Sequence, residues 1–103
     1  MKKTAGSAAL RVKWSYKAIR QLADIIDYID QHNSVASVSF QRKAVAAAQK
    51  LSSIPHGDRS GRVSGTREMV IHPNYLLVYR VNGEIDILRV LHARQKYPLT
   101  PSL

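Results

Sequence analysis

Between Gly61 and Arg94 the chain carries three apolar runs, and only Pro73-Asn74 and Asn82-Gly83 separate one run from the next. Short breaks of this kind between β-branched and aromatic stretches close antiparallel hairpins. The spacing therefore predicts a meander of three antiparallel strands. In the last run, Ile85, Ile87, Leu88, Val90 and Leu91 put apolar groups on both faces. A strand at a sheet edge rarely needs this, so the run is expected inside the sheet, with an N-terminal strand beside it. Tyr75 and Tyr79 share a face by parity and are expected to pack.

The first half reads differently. Leu10 to Trp14 alternates apolar and basic residues, the period-2 pattern of a half-buried strand with Arg11 and Lys13 outward and Trp14 in the core. Ser15 follows where a helix N-cap belongs. From Tyr16 to about His32, the residues Ile19, Leu22, Ala23, Ile26 and Ile29 recur at helical spacing, with Lys17, Arg20, Gln21, Asp24, Asp27 and Gln31 on the other face. Asn33-Ser34 ends that helix and caps a second, from Val35 to about Ser52, expected to bury Phe40, Ala44, Ala47, Ala48 and Leu51. The alanine run at 44–48 makes one side of it thin, so the two helices are expected to lie close as a hairpin. Pro55 and Gly57 close the helical half, and residues 56–66 read as a loop.

The order is strand, helix, helix, then three strands: an α+β fold with both helices on one sheet face. Its expected shared core is Leu22, Ile26, Ile29, Phe40, Leu51, Val78 and Val90. Residues 1–9 read as a loose N-terminal extension, 10–98 as a single domain and 99–103 as a tail.

Composition narrows the function. Sixteen Lys and Arg against seven Asp and Glu give a formal charge of +9, which attracts polyanions and acidic proteins. With no cysteine, disulfides, thiolate catalysis and Cys-ligated zinc are excluded. His32, His56, His72 and His92 lack metal-ligand spacing. Asp24, Asp27 and Asp30 read as a solvated helix face, with Arg20 and Asp24 paired at i, i+4, so neither a metal nor a cofactor is expected. No stretch approaches the ~20 apolar residues of a membrane span, and a reducing cytoplasm is the expected compartment.

Three co-linear stretches, Gly65-Thr66-Arg67-Glu68, Leu77-Val78-Tyr79-Arg80-Val81 and Val90-Leu91-His92-Ala93-Arg94, give the sequence from about Val12 to Pro98 a clear resemblance to the RelE/ParE toxin superfamily, and most to its ParE branch. The resemblance implies the toxin of a type II toxin–antitoxin pair, of the plasmid-stabilisation kind, held inactive by a co-expressed ParD-like antitoxin with an acidic, amphipathic C-terminal segment. It further implies inhibition of DNA gyrase by binding, without catalysis. On this reading Arg67, His92, Arg94, Lys96 and Tyr97 contact the target, and Arg20, Arg42, Arg80 and Arg89 contact the antitoxin.

The RNA-cleaving relatives supply the alternative, a ribosome-dependent mRNA endoribonuclease. Attack of a ribose 2′-hydroxyl on the adjacent phosphate needs a base, cations and an acid. His92 or Glu68 are the candidate bases, Arg67 and Arg94 the phosphate clamps, and Tyr97 the acid or stacking platform. Those relatives place an arginine where this chain has Leu76. Simpler readings stand beside these: a backbone-bonded His92 at a strand end, and Arg67 and Glu68 as an exposed cross-strand charge arrangement. A third possibility is a non-toxic basic interaction domain of the same fold.

Overall fold

The computed structural model describes residues 9–98. The expected tail at 99–103, and all of the expected N-terminal extension except Ala9, lie outside them. β1 (Val12–Trp14) runs into Ser15, whose side chain accepts the Ala18 amide at 3.0 Å and so starts α1 (Tyr16–Asp30). Asn33 does the same for α2 (Ser34–Leu51) through the Ala36 amide at 3.0 Å. The buried Ser37 hydroxyl lies 2.9 Å from Asp30 Oδ1 and 2.8 Å from the Ser34 carbonyl, so Asp30 fastens the end of one helix to the start of the next.

Four further strands follow: β2 (Arg59–Ser60), β3 (Arg67–His72), β4 (Tyr75–Val81) and β5 (Ile85–His92). The spatial order is β1-β5-β4-β3-β2, with β1 parallel to β5 and the other pairs antiparallel. The interior position of the last strand and the flanking N-terminal strand are as the sequence predicts. Gly83, at φ +71, makes the turn between β4 and β5 with the backbone that only glycine adopts freely. The stretch read as a loop contains β2, a fifth strand, whose two residues are too short to leave a period in the sequence.

The helices cover one face. Ala18, Phe40, Ala44, Ala48 and Leu51 pack there on Ile71, Leu77, Tyr79, Ile85, Ile87 and Val90. Leu22, Ile25, Ile26 and Ile29 complete the layer, and Trp14 and Tyr75 join it. Two expectations change. Val78 is buried, but on the opposite face, with Leu76 and Leu91. α1 is also rotated from its expected seating: Ile19 is half exposed and Ala23 exposed, while Ala18 and Ile25 point inward.

The rotation has a polar cause in β5. Val78 pairs with Arg89 and Tyr79 with Ile87, so Leu88 is skipped in a bulge. The freed Leu88 carbonyl accepts the Ser15 hydroxyl at 3.0 Å, and Gln21 Oε1 accepts the Val90 amide at 2.9 Å. Gln21, expected on the outer face, therefore turns toward the sheet to satisfy a backbone donor beside the bulge.

Candidate target-binding surface

On the face away from the helices, Leu76, Val78 and Leu91 are almost fully buried without help from either helix. Their cover comes from the chain beyond β5, where Ala93 and Tyr97 lie against them. Arg62 holds this segment down: its Nη1 donates to the Gln95 carbonyl at 3.1 Å and its Nη2 to the Ala93 carbonyl at 3.3 Å. From β5, the Arg89 guanidinium lies 5.6 Å from the centre of the Tyr97 ring, a cation–π contact.

Arg62 is in turn held by Glu68. This carboxylate is only 3% exposed, and it accepts the Arg62 amide at 2.9 Å while lying 3.4 Å from Arg62 Nε and 3.4 Å from Arg59 Nη2. Glu68 is thus a buried anchor inside an arginine clamp and not an exposed cross-strand charge. The clamp was not picked out in the sequence, although one sign of it was there: Glu68 is the only acidic residue between Asp58 and Glu84.

The expected site residues divide into three places. Arg94 and Lys96 are exposed on the clamped segment, next to the half-buried Tyr97. His92 faces the helix side, where it pairs in register with Tyr75 at a ring-centre distance of 5.3 Å. It borders an open cleft of about 550 Å³ with Gln21, Asp24 and Tyr28. Its Nδ1 accepts the Arg94 amide at 3.1 Å, which fixes the turn leading into the basic segment. Arg67 sits at the other end of the sheet, opposite Tyr79, with Nη1 bonded to the Asp58 carbonyl at 2.8 Å and near the His56 carbonyl at 3.5 Å.

His92, Arg67 and Tyr97 therefore do not converge on one point. The residues assigned to the antitoxin also divide. Arg20 and Arg42 are exposed on α1 and α2, whereas Arg80 and Arg89 lie on the helix-free sheet face, Arg80 4.0 Å from Asp86. Val35, Val38 and Val45 are exposed on the outer side of α2, near Arg42 and Lys43. Among the described residues, no group of three or more His, Asp or Glu is placed to hold a metal ion, and no helix is long and apolar enough to cross a membrane.

Tyr79 connects the linker after α2 to the sheet. Its hydroxyl donates to Asp58 Oδ2 at 2.8 Å, with the Pro55 carbonyl at 3.3 Å. Burial, and then the Asp58 hydrogen bond and charge, raise this phenol well above the ordinary tyrosine range, against a smaller lowering by Arg67.

Known proteins resemble this chain in sequence and in fold. The chain is 33% identical over 89 residues to Y4kP of Sinorhizobium fredii, covering 85% of this chain and 93% of that protein. It is 32% identical over 84 residues to toxin RelE2 of Caulobacter vibrioides, covering 81% and 94%. The fold superimposes on a chain of the chromosomal ParDE toxin–antitoxin system from P. aeruginosa with a TM-score of 0.72 at 21% identity, over 82% of this chain and 96% of that one. Residues 12–97, which span the sheet, both helices and the clamped segment, match the ParE toxin of the type II toxin–antitoxin system parDE, and the chain belongs to that family.

Proposed function

We propose that this chain is a toxin that inhibits DNA gyrase by binding it, using the clamped basic segment with Arg94, Lys96 and Tyr97. The observation that carries this reading is Leu76. It is 1% exposed beneath Tyr97, so at the position where RNA-cleaving relatives place an arginine the surface has an apolar plug. An aliphatic side chain cannot neutralise a phosphate. The separation of His92, Arg67 and Tyr97 favours the same conclusion, because acid–base chemistry needs its groups within hydrogen-bond reach of one phosphodiester.

The partner in this reading is a ParD-like antitoxin with an acidic, amphipathic C-terminal segment, acting in the cytoplasm. The exposed valines of α2 beside Arg42 and Lys43 suit the apolar and acidic sides of such a segment. For Arg20 and Arg42 to share it with Arg80 and Arg89, the segment must pass around a sheet edge from one layer to the other.

Purified protein added to gyrase supercoiling reactions and, in parallel, to translating ribosomes tests the target. Inhibited supercoiling with intact transcripts is the expected result. Ribosome-dependent transcript cleavage with gyrase unaffected would replace this reading with the endoribonuclease one.

A further inference from the structure

On the helix-side face of the sheet, opposite the face covered by the basic segment, a polar cleft of about 410 Å³ opens beside β2 and β3. Arg67, Ser60, Ser64, Gly65 and His56 line it. Ser60 and Arg67 are register partners, so both side chains leave the same sheet face. The two strands are joined by a tight loop: the Gly61 amide donates to the Thr66 carbonyl at 2.7 Å, and the Thr66 amide to the Val63 carbonyl at 3.1 Å. A Cβ on Gly61 would overlap the Thr66 hydroxyl, and Gly65 turns the chain at φ +82. The loop thus frames the cleft with fixed backbone.

Within this frame the Arg67 guanidinium is oriented but not neutralised. Nη1 is directed at the Asp58 and His56 carbonyls, while Nε and Nη2 bond to nothing among the described residues. Arg59, Arg62 and Arg80 each lie within 4.0 Å of a carboxylate, but Arg67 pairs with none among the described residues. Of its acidic neighbours, the adjacent Glu68 is held by Arg59 and Arg62, and the Asp58 carboxylate accepts the Tyr79 hydroxyl. A pinned guanidinium presenting one N–H edge, beside two serine hydroxyls and a glycine turn, matches the oxygens of a tetrahedral dianion.

We propose that this cleft is a phosphate-binding site, in which Arg67 Nε and Nη2 grip two phosphate oxygens and Ser60 and Ser64 donate to the others. The site does not rest on the gyrase contact proposed above, which uses Arg94, Lys96 and Tyr97; Arg67, expected from the sequence to touch that target, lies apart from them on the helix-side face. Its ligand chemistry is a phosphate group, either the terminal phosphate of a nucleotide or the backbone of a nucleic acid strand.

Titration of the full chain with inorganic phosphate, followed by NMR of the Arg67 Nε–H and the Ser60, Ser64 and Gly65 amides, tests the site. These signals are expected to move together and saturate, while those of Arg94 and Lys96 drift without saturating. Arg67→Lys should weaken binding about tenfold or more, since an ammonium cannot replace the two-pronged donor. Ser64→Asp leaves the Arg67 anchoring bonds untouched and should abolish binding by charge alone. Thymidine 5′-monophosphate and a short oligothymidylate without terminal phosphates then distinguish the sources: saturation by the first alone assigns terminal phosphates, and saturation by the second assigns the strand backbone. Signals that fail to saturate, or phosphate binding that survives Ser64→Asp in the folded protein, would overturn the proposal.

Discussion

Arg62 meets Glu68 twice, through its main-chain amide at 2.9 Å and through Nε at 3.4 Å from the same carboxylate oxygen. The remaining guanidinium nitrogens of Arg62 hold the Ala93 and Gln95 carbonyls. One buried carboxylate therefore orients Arg62, six residues before it, and through Arg62 positions a basic segment more than thirty residues further along the chain from that arginine.

Glu68→Ala should cost about 1–3 kcal/mol, because it leaves the Arg62 amide without its acceptor and releases two guanidinium groups. The partial exposure of both arginines keeps the ionic share small. Hydrogen exchange checks the connection: the amides of Ala93 and Gln95 should lose protection beyond the global change. An effect confined to β2 and β3 would show that the segment does not depend on the clamp.

Ile87→Ala should destabilise the fold by about 2–5 kcal/mol, since Ile87 has no exposure and its loss leaves a cavity beneath α1. Ile19→Ala, at 50% exposure, should stay within about 0.5 kcal/mol. Urea unfolding of both variants checks the rotation of α1. Equal losses would restore the seating expected from the sequence.

Tyr79 gives a pH prediction. Its folded-state phenol is raised above the unfolded value near 10, so the stability it contributes is complete below about pH 10 and is lost as pH rises above that. Melting temperatures measured from pH 8 to 11 should decline in the upper part of the range, and Tyr79→Phe should flatten the decline while lowering the plateau. Parallel curves for the two proteins would remove Tyr79 as the cause.

Toxicity separates binding from catalysis. Joint replacement of Arg94, Lys96 and Tyr97 should abolish growth inhibition on induction, while His92→Gln retains much of it. A nucleolytic mechanism with His92 as base predicts a 10²–10⁴-fold loss for His92→Gln. Growth inhibition that vanishes in a folded His92→Gln protein would count against the binding mechanism.

The element order was legible because each element carried its own period or cap: Ser15 and Asn33 for the helices, Pro73-Asn74 and Asn82-Gly83 for the meander. The faces were harder to read. From Leu76 to Tyr79, β4 is buried on both sides, so it has no alternation to show that Val78 belongs away from the helices. Of the candidate site, the basic C-terminal residues stood out by type. The Glu68 clamp did not, because its partners arrive from a loop and its burial depends on tertiary packing. Arg67 and His92 looked like neighbours in chemistry, but three residues of β4 lie between their register partners, Tyr79 and Tyr75.

The bulge at Leu88 acts as a phase slip in β5. Upstream of it Ile85 and Ile87 keep odd-numbered residues in step with the helix side; downstream the even-numbered Val90 and His92 take that side, and Leu91 takes the other. In an unbroken ladder continued from Ile85 and Ile87, His92 would emerge on the helix-free face and Arg89 and Leu91 would turn toward the helices. A single unpaired residue thus decides which face of the sheet receives the imidazole and which the guanidinium. An insertion or deletion in this strand therefore changes the chemistry each face offers more abruptly than any substitution at His92 itself.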